Sequence, residues 1–127
     1  MSELNGQPVA LVTGVSRGIG RATARRLAGD GYHVVGVSRT EPENFEGTFR
    51  PLDLSASDAK AQLAALGEEF KPSRVIANAG ISAGGPIEAV TDDEFEAVMR
   101  TNVQSVLWTI QAGLPTMKAN HFGRIVV

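Results

Sequence analysis

The run Val9-Ala10-Leu11-Val12 contains no polar residue, and the chain repeats that device along its length. Apolar stretches lie at 8–13 (PVALVT), 33–38 (HVVGVS), 48–53 (TFRPLD), 74–79 (RVIANA) and 124–127 (RIVV). All but the third are nearly continuous in Val, Ile, Leu and Ala instead of alternating with polar residues. A strand with one wet face alternates. A strand covered on both faces does not, and such strands belong to parallel sheets flanked by helices. The third run is weaker, because Pro51 lacks an amide donor, and this predicts an edge position.

Helical patterns fill the intervals. Ile19, Thr23 and Leu27 form one stripe beside Gly20, Ala24 and Ala28, and Gly29-Asp30-Gly31 ends that helix. A second helix is predicted from SASD, where Ser55 and Asp58 have capping-box spacing, with the stripe Ala59, Leu63, Leu66 and Phe70. The third and longest is predicted over 91–117. It opens on a Thr91–Glu94 capping box and carries Phe95, Met99, Val106, Ile110, Leu114 and Met117 at helical spacing. The segment RTEPENFEG between the second and third strands has no stripe and reads as a loop. Strands alternating with helices imply an α/β fold with an open parallel sheet, in a single domain over 1–127.

A net charge of -2 excludes a basic field for nucleic acid. No apolar stretch approaches the roughly 18 residues of a membrane span. Cysteine is absent and the N-terminus has no basic leader, so a cytoplasmic location is expected. His33 and His121 have no ligand-spaced companions, so no metal site is expected and both read as surface residues. Trp108 and Phe95 read as packing residues.

The first strand runs into Thr13-Gly14-Val15-Ser16-Arg17-Gly18-Ile19-Gly20. Gly14 suits the tight turn off the strand. Gly18 lets amides approach a ligand, and Gly20 lets the following helix pack closely. The helix start then offers unpaired N–H groups to a pyrophosphate. The spacing is Gly-x3-Gly-x-Gly, which differs from the commoner GxGxxG fingerprint.

This loop resembles that of the short-chain dehydrogenase/reductase family, and three further matches follow in order. Asp53-Leu54 in PLDLS stands where the family's acidic residue meets adenine. Asn78-Ala79-Gly80 matches the family's Asn-Asn-Ala-Gly, with Ala77 in place of the first Asn. Asn102 in MRTNV stands at the family's catalytic-tetrad asparagine. The resemblance implies a Rossmann-like doubly wound parallel sheet and hydride transfer between a nicotinamide and a small carbonyl or alcohol substrate. It places Ser16, Arg17 and Ile19 with the glycines at the cofactor.

Where the second strand ends, an acid would select the free ribose of NAD. This chain has Ser38 and Arg39, suited to a 2′-phosphate, with Arg17 able to approach the same group. NADP(H) is therefore the expected cofactor, with NAD(H) the alternative if Arg39 is only a solvated loop charge. Asn102 falls in register with Met99 and Val106, so its amide is expected to point inward. It could be a satisfied buried amide or, as the resemblance implies, part of a proton relay. Ser82 and the segment ISAGGPIE could line a substrate mouth or form a plain loop.

The family's Ser and Tyr-x3-Lys do not occur in these residues, whose one tyrosine is Tyr32. The chain therefore reads as an incomplete N-terminal half, truncated after its fifth strand and inactive alone. Association through helix 91–117 is expected, in a homo-oligomer or with a complementary half. The alternatives are a non-catalytic dinucleotide-binding sensor and a regulatory subunit.

Overall fold

The structure, a computed structural model, describes residues 3–127. The strands are β1 (Glu3–Leu4), β2 (Gln7–Thr13), β3 (His33–Ser38), β4 (Thr48–Pro51), β5 (Arg74–Ile76) and β6 (Arg124–Val126). The helices are α1 (Gly18–Gly29), α2 (Ala59–Phe70), α3 (Asp92–Met99) and α4 (Ser105–Ala119). The sheet order is β4-β3-β2-β5-β6, all parallel. From β2 the chain builds outward through β3 to β4, then crosses to β5 on the other side of β2. That reversal opens a crevice at the carboxyl ends of the strands, the place where open α/β sheets bind ligands.

The unbroken apolar runs have the predicted cause. Val12 and Val34 enter one core with Val15 and Ala24 of the α1 side. Val9, Leu11, Val35, Val37 and Val75 enter the other, with Leu63, Leu66, Trp108 and Ala112 from α2 and α4. Alternate residues of one strand thus serve opposite layers. Pro51 lies on the edge strand as expected, and Leu52 N–H closes the pairing onto Ser38 O at 2.9 Å.

One element escaped the sequence reading. β1 pairs antiparallel with β2 across Asn5-Gly6, whose φ values of 54° and 79° make a primed two-residue turn. Asn-Gly is the sequence signal for that turn.

Three helical expectations need correction. Ile19 is 78% exposed at the mouth of the crevice, and the buried contacts of α1 are Gly20 and Ala24. The Ser55–Asp58 capping box does not form. Ser55 instead gives both its N–H and its hydroxyl to Asp53 Oδ1, at 2.9 and 2.7 Å, and α2 starts at Ala59. The long helix is interrupted by a π-turn at Arg100–Gln104. Its Thr91–Glu94 capping box is present.

The extra residue of the π-turn rotates α4 relative to the expected stripe. Its buried face is Ser105, Trp108, Thr109, Ala112, Gly113, Thr116 and Met117; of the expected stripe only Met117 is buried. The cause is close packing. A Cβ on Gly67 of α2 would collide with the carbonyl oxygen of Ala112, and one on Gly113 would stand 2.8 Å from Val75. Small side chains therefore occupy the contact with α2, while Val106, Ile110 and Leu114 are only half-buried and Leu107 is exposed. Trp108 packs as expected, but Phe95 is 59% exposed. His33 is half-buried, with Nε2 2.9 Å from Thr48 Oγ1, and is not the surface residue expected. No helix among the described residues is long and apolar enough to cross a membrane.

Candidate functional site

At the carboxyl ends of β2, β3, β4 and β5 lies a cleft of about 730 Å³. It gathers Gly14, Ser16, Arg17, Gly18, Ile19, Ser38, Arg39, Asp53, Leu54, Asn78, Ala79 and Gly80, twelve of the residues singled out from sequence. Gly20 sits beneath it, and Asn102 stands behind Gly80.

The floor is the turn from β2 into α1. Gly14 donates to Val37 O at 2.8 Å and has φ 75°, and a Cβ there would lie 2.8 Å from Ala79 Cα. Gly20 approaches more closely still: a Cβ would meet the Gly14 carbonyl and the Asn78 amide. Arg17, at the N-cap of α1, makes no side-chain capping bond, and the first turn has no acidic residue. The leading amides of α1 are thus free for an anion.

Two residues brace this turn. Thr13 Oγ1, 1% exposed, accepts the N–H groups of Asn78 and Ala79 at 3.1 and 3.0 Å. Asn78 Nδ2 donates to the carbonyls of Thr13 and Gly14, both at 3.2 Å. Asn78 therefore lines the cleft while spending its donors on its floor. Thr13→Val would orphan two amides, each costing about 1–3 kcal/mol if left unpaired. Urea unfolding of the full-length protein is expected to show a loss of about 2 kcal/mol; an unchanged midpoint would remove Thr13 from this role.

On the cleft wall after β4, Asp53 is held below its ordinary carboxylate value, first by the Ser55 hydroxyl and next by the Ser55 amide. Burial pushes weakly the other way, and the charge of Arg39 adds a smaller lowering. The charged form is favoured in the fold, so this stabilisation is present above an Asp's usual pKa of about 4 and is lost as pH falls through the lowered one. Thermal melts from about pH 6 downward should show Asp53→Asn losing less stability on acidification than the parent. Parallel acid profiles would refute the contribution.

Ser38 Oγ donates to Thr40 O at 3.1 Å, which fixes the turn after β3. Arg17 and Arg39 are exposed and make no ion pair among the described residues; Glu41 does not engage Arg39. Two cations at the rim, neither in an ion pair among the described residues, suit a phosphorylated ligand.

Asn102 departs from expectation. It lies in the π-turn and is exposed, not buried on the stripe. Its amide clasps one residue: Oδ1 accepts Ile81 N–H at 2.8 Å, and Nδ2 donates to Ile81 O at 2.7 Å. The side chain therefore sets the path of the chain after Gly80. Ser82 lines the same cleft, in the loop past Gly80. Sequence reasoning takes Thr13 only as the head of the glycine loop and Ser55 only as a helix cap, and it passes over Thr101; all three belong to this site. The Asp-x-Ser spacing of an Asx turn was the available signal for Ser55, and Thr13 stands at the head of the glycine loop itself.

A family model described as short chain dehydrogenase matches residues 8–127. The chain is 34% identical over 124 residues to 3-ketodihydrosphingosine reductase of Bacteroides thetaiotaomicron, covering 93% of this chain and 45% of that protein. It is 36% identical over 120 residues to 3-oxoacyl-(acyl-carrier-protein) reductase MabA of Mycobacterium tuberculosis, covering 91% and 48%. Among solved structures, a metagenomic short-chain oxidoreductase in complex with NADP aligns with a TM-score of 0.81 and 34% identity, over 93% of this chain and 60% of that one. The chain spans about half the length of the curated relatives it matches.

Proposed function

The chain belongs to the short-chain dehydrogenase family, and on that footing we propose that it forms the NADP(H)-binding part of an oxidoreductase acting on a small carbonyl or alcohol. One observation carries the reading. A glycine turn with uncapped helix amides opens onto a cleft whose far wall ends in Ser38 and Arg39, where a discriminating acid would otherwise stand. The amides of Gly18, Ile19 and Gly20 take the pyrophosphate, and Ser38, Arg39 and Arg17 take the 2′-phosphate. Asp53 keeps Oδ2 free for the adenine amino group while Oδ1 serves Ser55. Bound there, the nicotinamide supplies or accepts the hydride.

The residues of this chain bind and orient; proton transfer at the substrate oxygen needs a Tyr-x3-Lys that these residues lack. Reductase activity is accordingly assigned to a protein that brings those groups, and the 127 residues alone are expected to bind nucleotide without turnover. Asn102 acts as a positioning residue through Ile81. Phe95, Met99, Val103 and Leu107, exposed at four-residue spacing along α3, the π-turn and α4, support association of the intact protein through 91–117.

The test is titration of the full-length protein with NADPH and NADH by quenching of Trp108 fluorescence or by calorimetry, followed by a carbonyl panel with NADPH oxidation as readout. Tighter binding of NADPH with turnover supports the assignment. No affinity for either nucleotide, or a clear preference for NADH, overturns it.

A further inference from the structure

The segment 52–58 bears the adenine-side residues of the cleft, yet it is neither strand nor helix. Within itself it has the Asx turn of Asp53 and the bond from Ala56 N–H to Asp53 O at 3.0 Å. Its two ends are anchored elsewhere: Leu52 N–H bonds Ser38 O, Leu52 and Leu54 pack into the core, and Asp58 accepts from Gln62 of α2. The side-chain tie on its middle comes from the first residue of the π-turn. Arg100 donates Nε to Ser55 O at 3.1 Å and Nη2 to Ala56 O at 3.0 Å, and its guanidinium lies 5.3 Å from the centroid of the buried Trp108 ring. It makes no ion pair among the described residues. An arginine spent on two main-chain carbonyls has a geometric task, and the planar fork is what permits two such bonds at once.

We propose that Arg100 is a positioning residue for adenine recognition: by gripping Ser55 and Ala56 against Trp108 it fixes the Asp53–Ser55 turn at the cleft wall. This rests on the reading that the cleft takes the adenosine half of a dinucleotide. Without the grip, segment 53–58 samples other conformations, and binding must bear the cost of ordering it. Arg100 touches no reacting atom. The effect therefore falls on ligands that contain adenine and spares those that lack it. The neighbouring Asn102 clasp on Ile81 stays intact in an Arg100 variant, which keeps the other end of the cleft in place.

The experiment compares the full-length protein with Arg100→Lys and Arg100→Met. Affinities are measured for NADPH, for 2′,5′-ADP and for reduced nicotinamide mononucleotide, and amide hydrogen exchange is followed over 53–58. Arg100→Met is expected to weaken NADPH and 2′,5′-ADP by about tenfold, the loss of a charge-assisted bond pair. The mononucleotide should be unaffected, and exchange over 53–58 should rise. Arg100→Lys, one point charge in place of a fork, should recover only part of the affinity. Equal weakening of all three ligands, full recovery by Lys, or unchanged 2′,5′-ADP affinity in Arg100→Met would each overturn the proposal. If Arg100→Met fails to fold, the Lys variant decides between these outcomes. A parent protein that binds no 2′,5′-ADP sinks the cofactor reading itself, and this proposal with it. Where the parent binds 2′,5′-ADP normally, the variants test the role of Arg100 alone.

Discussion

Gly20→Ala is expected to cost the full-length protein about 3 kcal/mol, the upper end for overpacking, because the added methyl has nowhere to go. Its nearest neighbours would be the carbonyl of Gly14 and the amide of Asn78. The first is main chain in a turn already pinned by the Gly14–Val37 bond, and the second is held by its bonds to Thr13 and Gly14. Relief requires α1 to move off the sheet, carrying the amides of its first turn away from the cleft. Melting should fall by roughly 10 °C and nucleotide affinity should fall with it. Gly18→Ala is the informative contrast. No atom lies within 4 Å of a Cβ there, but φ is 60°, so the penalty is the left-handed one of about 1–2 kcal/mol. That variant should lose affinity with a smaller loss of melting temperature. If both substitutions left nucleotide binding intact, the turn would not be the phosphate cradle.

Arg39→Asp should change the ratio of NADPH to NADH affinity by about a hundredfold. Charge-assisted bonds to a phosphate are worth about 1.5–3 kcal/mol, and the substitution replaces attraction with repulsion. The exposure of Arg39 sets the ceiling, because solvent and salt screen an open rim. If the parent has the proposed preference for NADPH, that preference should narrow as ionic strength rises, whereas NADH affinity should stay nearly flat. Arg17→Ala should act in the same direction with a smaller effect. An affinity ratio insensitive to Arg39 and to salt would mean that the arginine is a solvated charge and that discrimination lies elsewhere.

Much of the fold was legible because its signals are local. Unbroken apolar runs marked strands covered on both faces, Pro51 marked the edge, and Thr91 with Glu94 marked a helix start. The glycine spacing marked the tight turn between β2 and α1, and twelve of the expected residues do meet in one cleft. What failed were choices between local options of similar energy. Ser55 could cap a helix or close an Asx turn, and Asp53 with Arg100 decided for the turn. Asn102 could lie on an inward stripe, but the π-turn swung it onto Ile81.

The sequence alone determined that these residues make a parallel sheet clad with helices and a glycine turn fit for a phosphate, because backbone sterics and apolar periodicity act within a few residues. Only the tertiary structure decided which side of the long helix is buried and what its interruption holds. Periodicity says that a helix has a face; how near a neighbour can come decides which face is used. Here the contact of Gly67 with Ala112 put small side chains at the crossing and left Val106, Ile110 and Leu114 only half-buried.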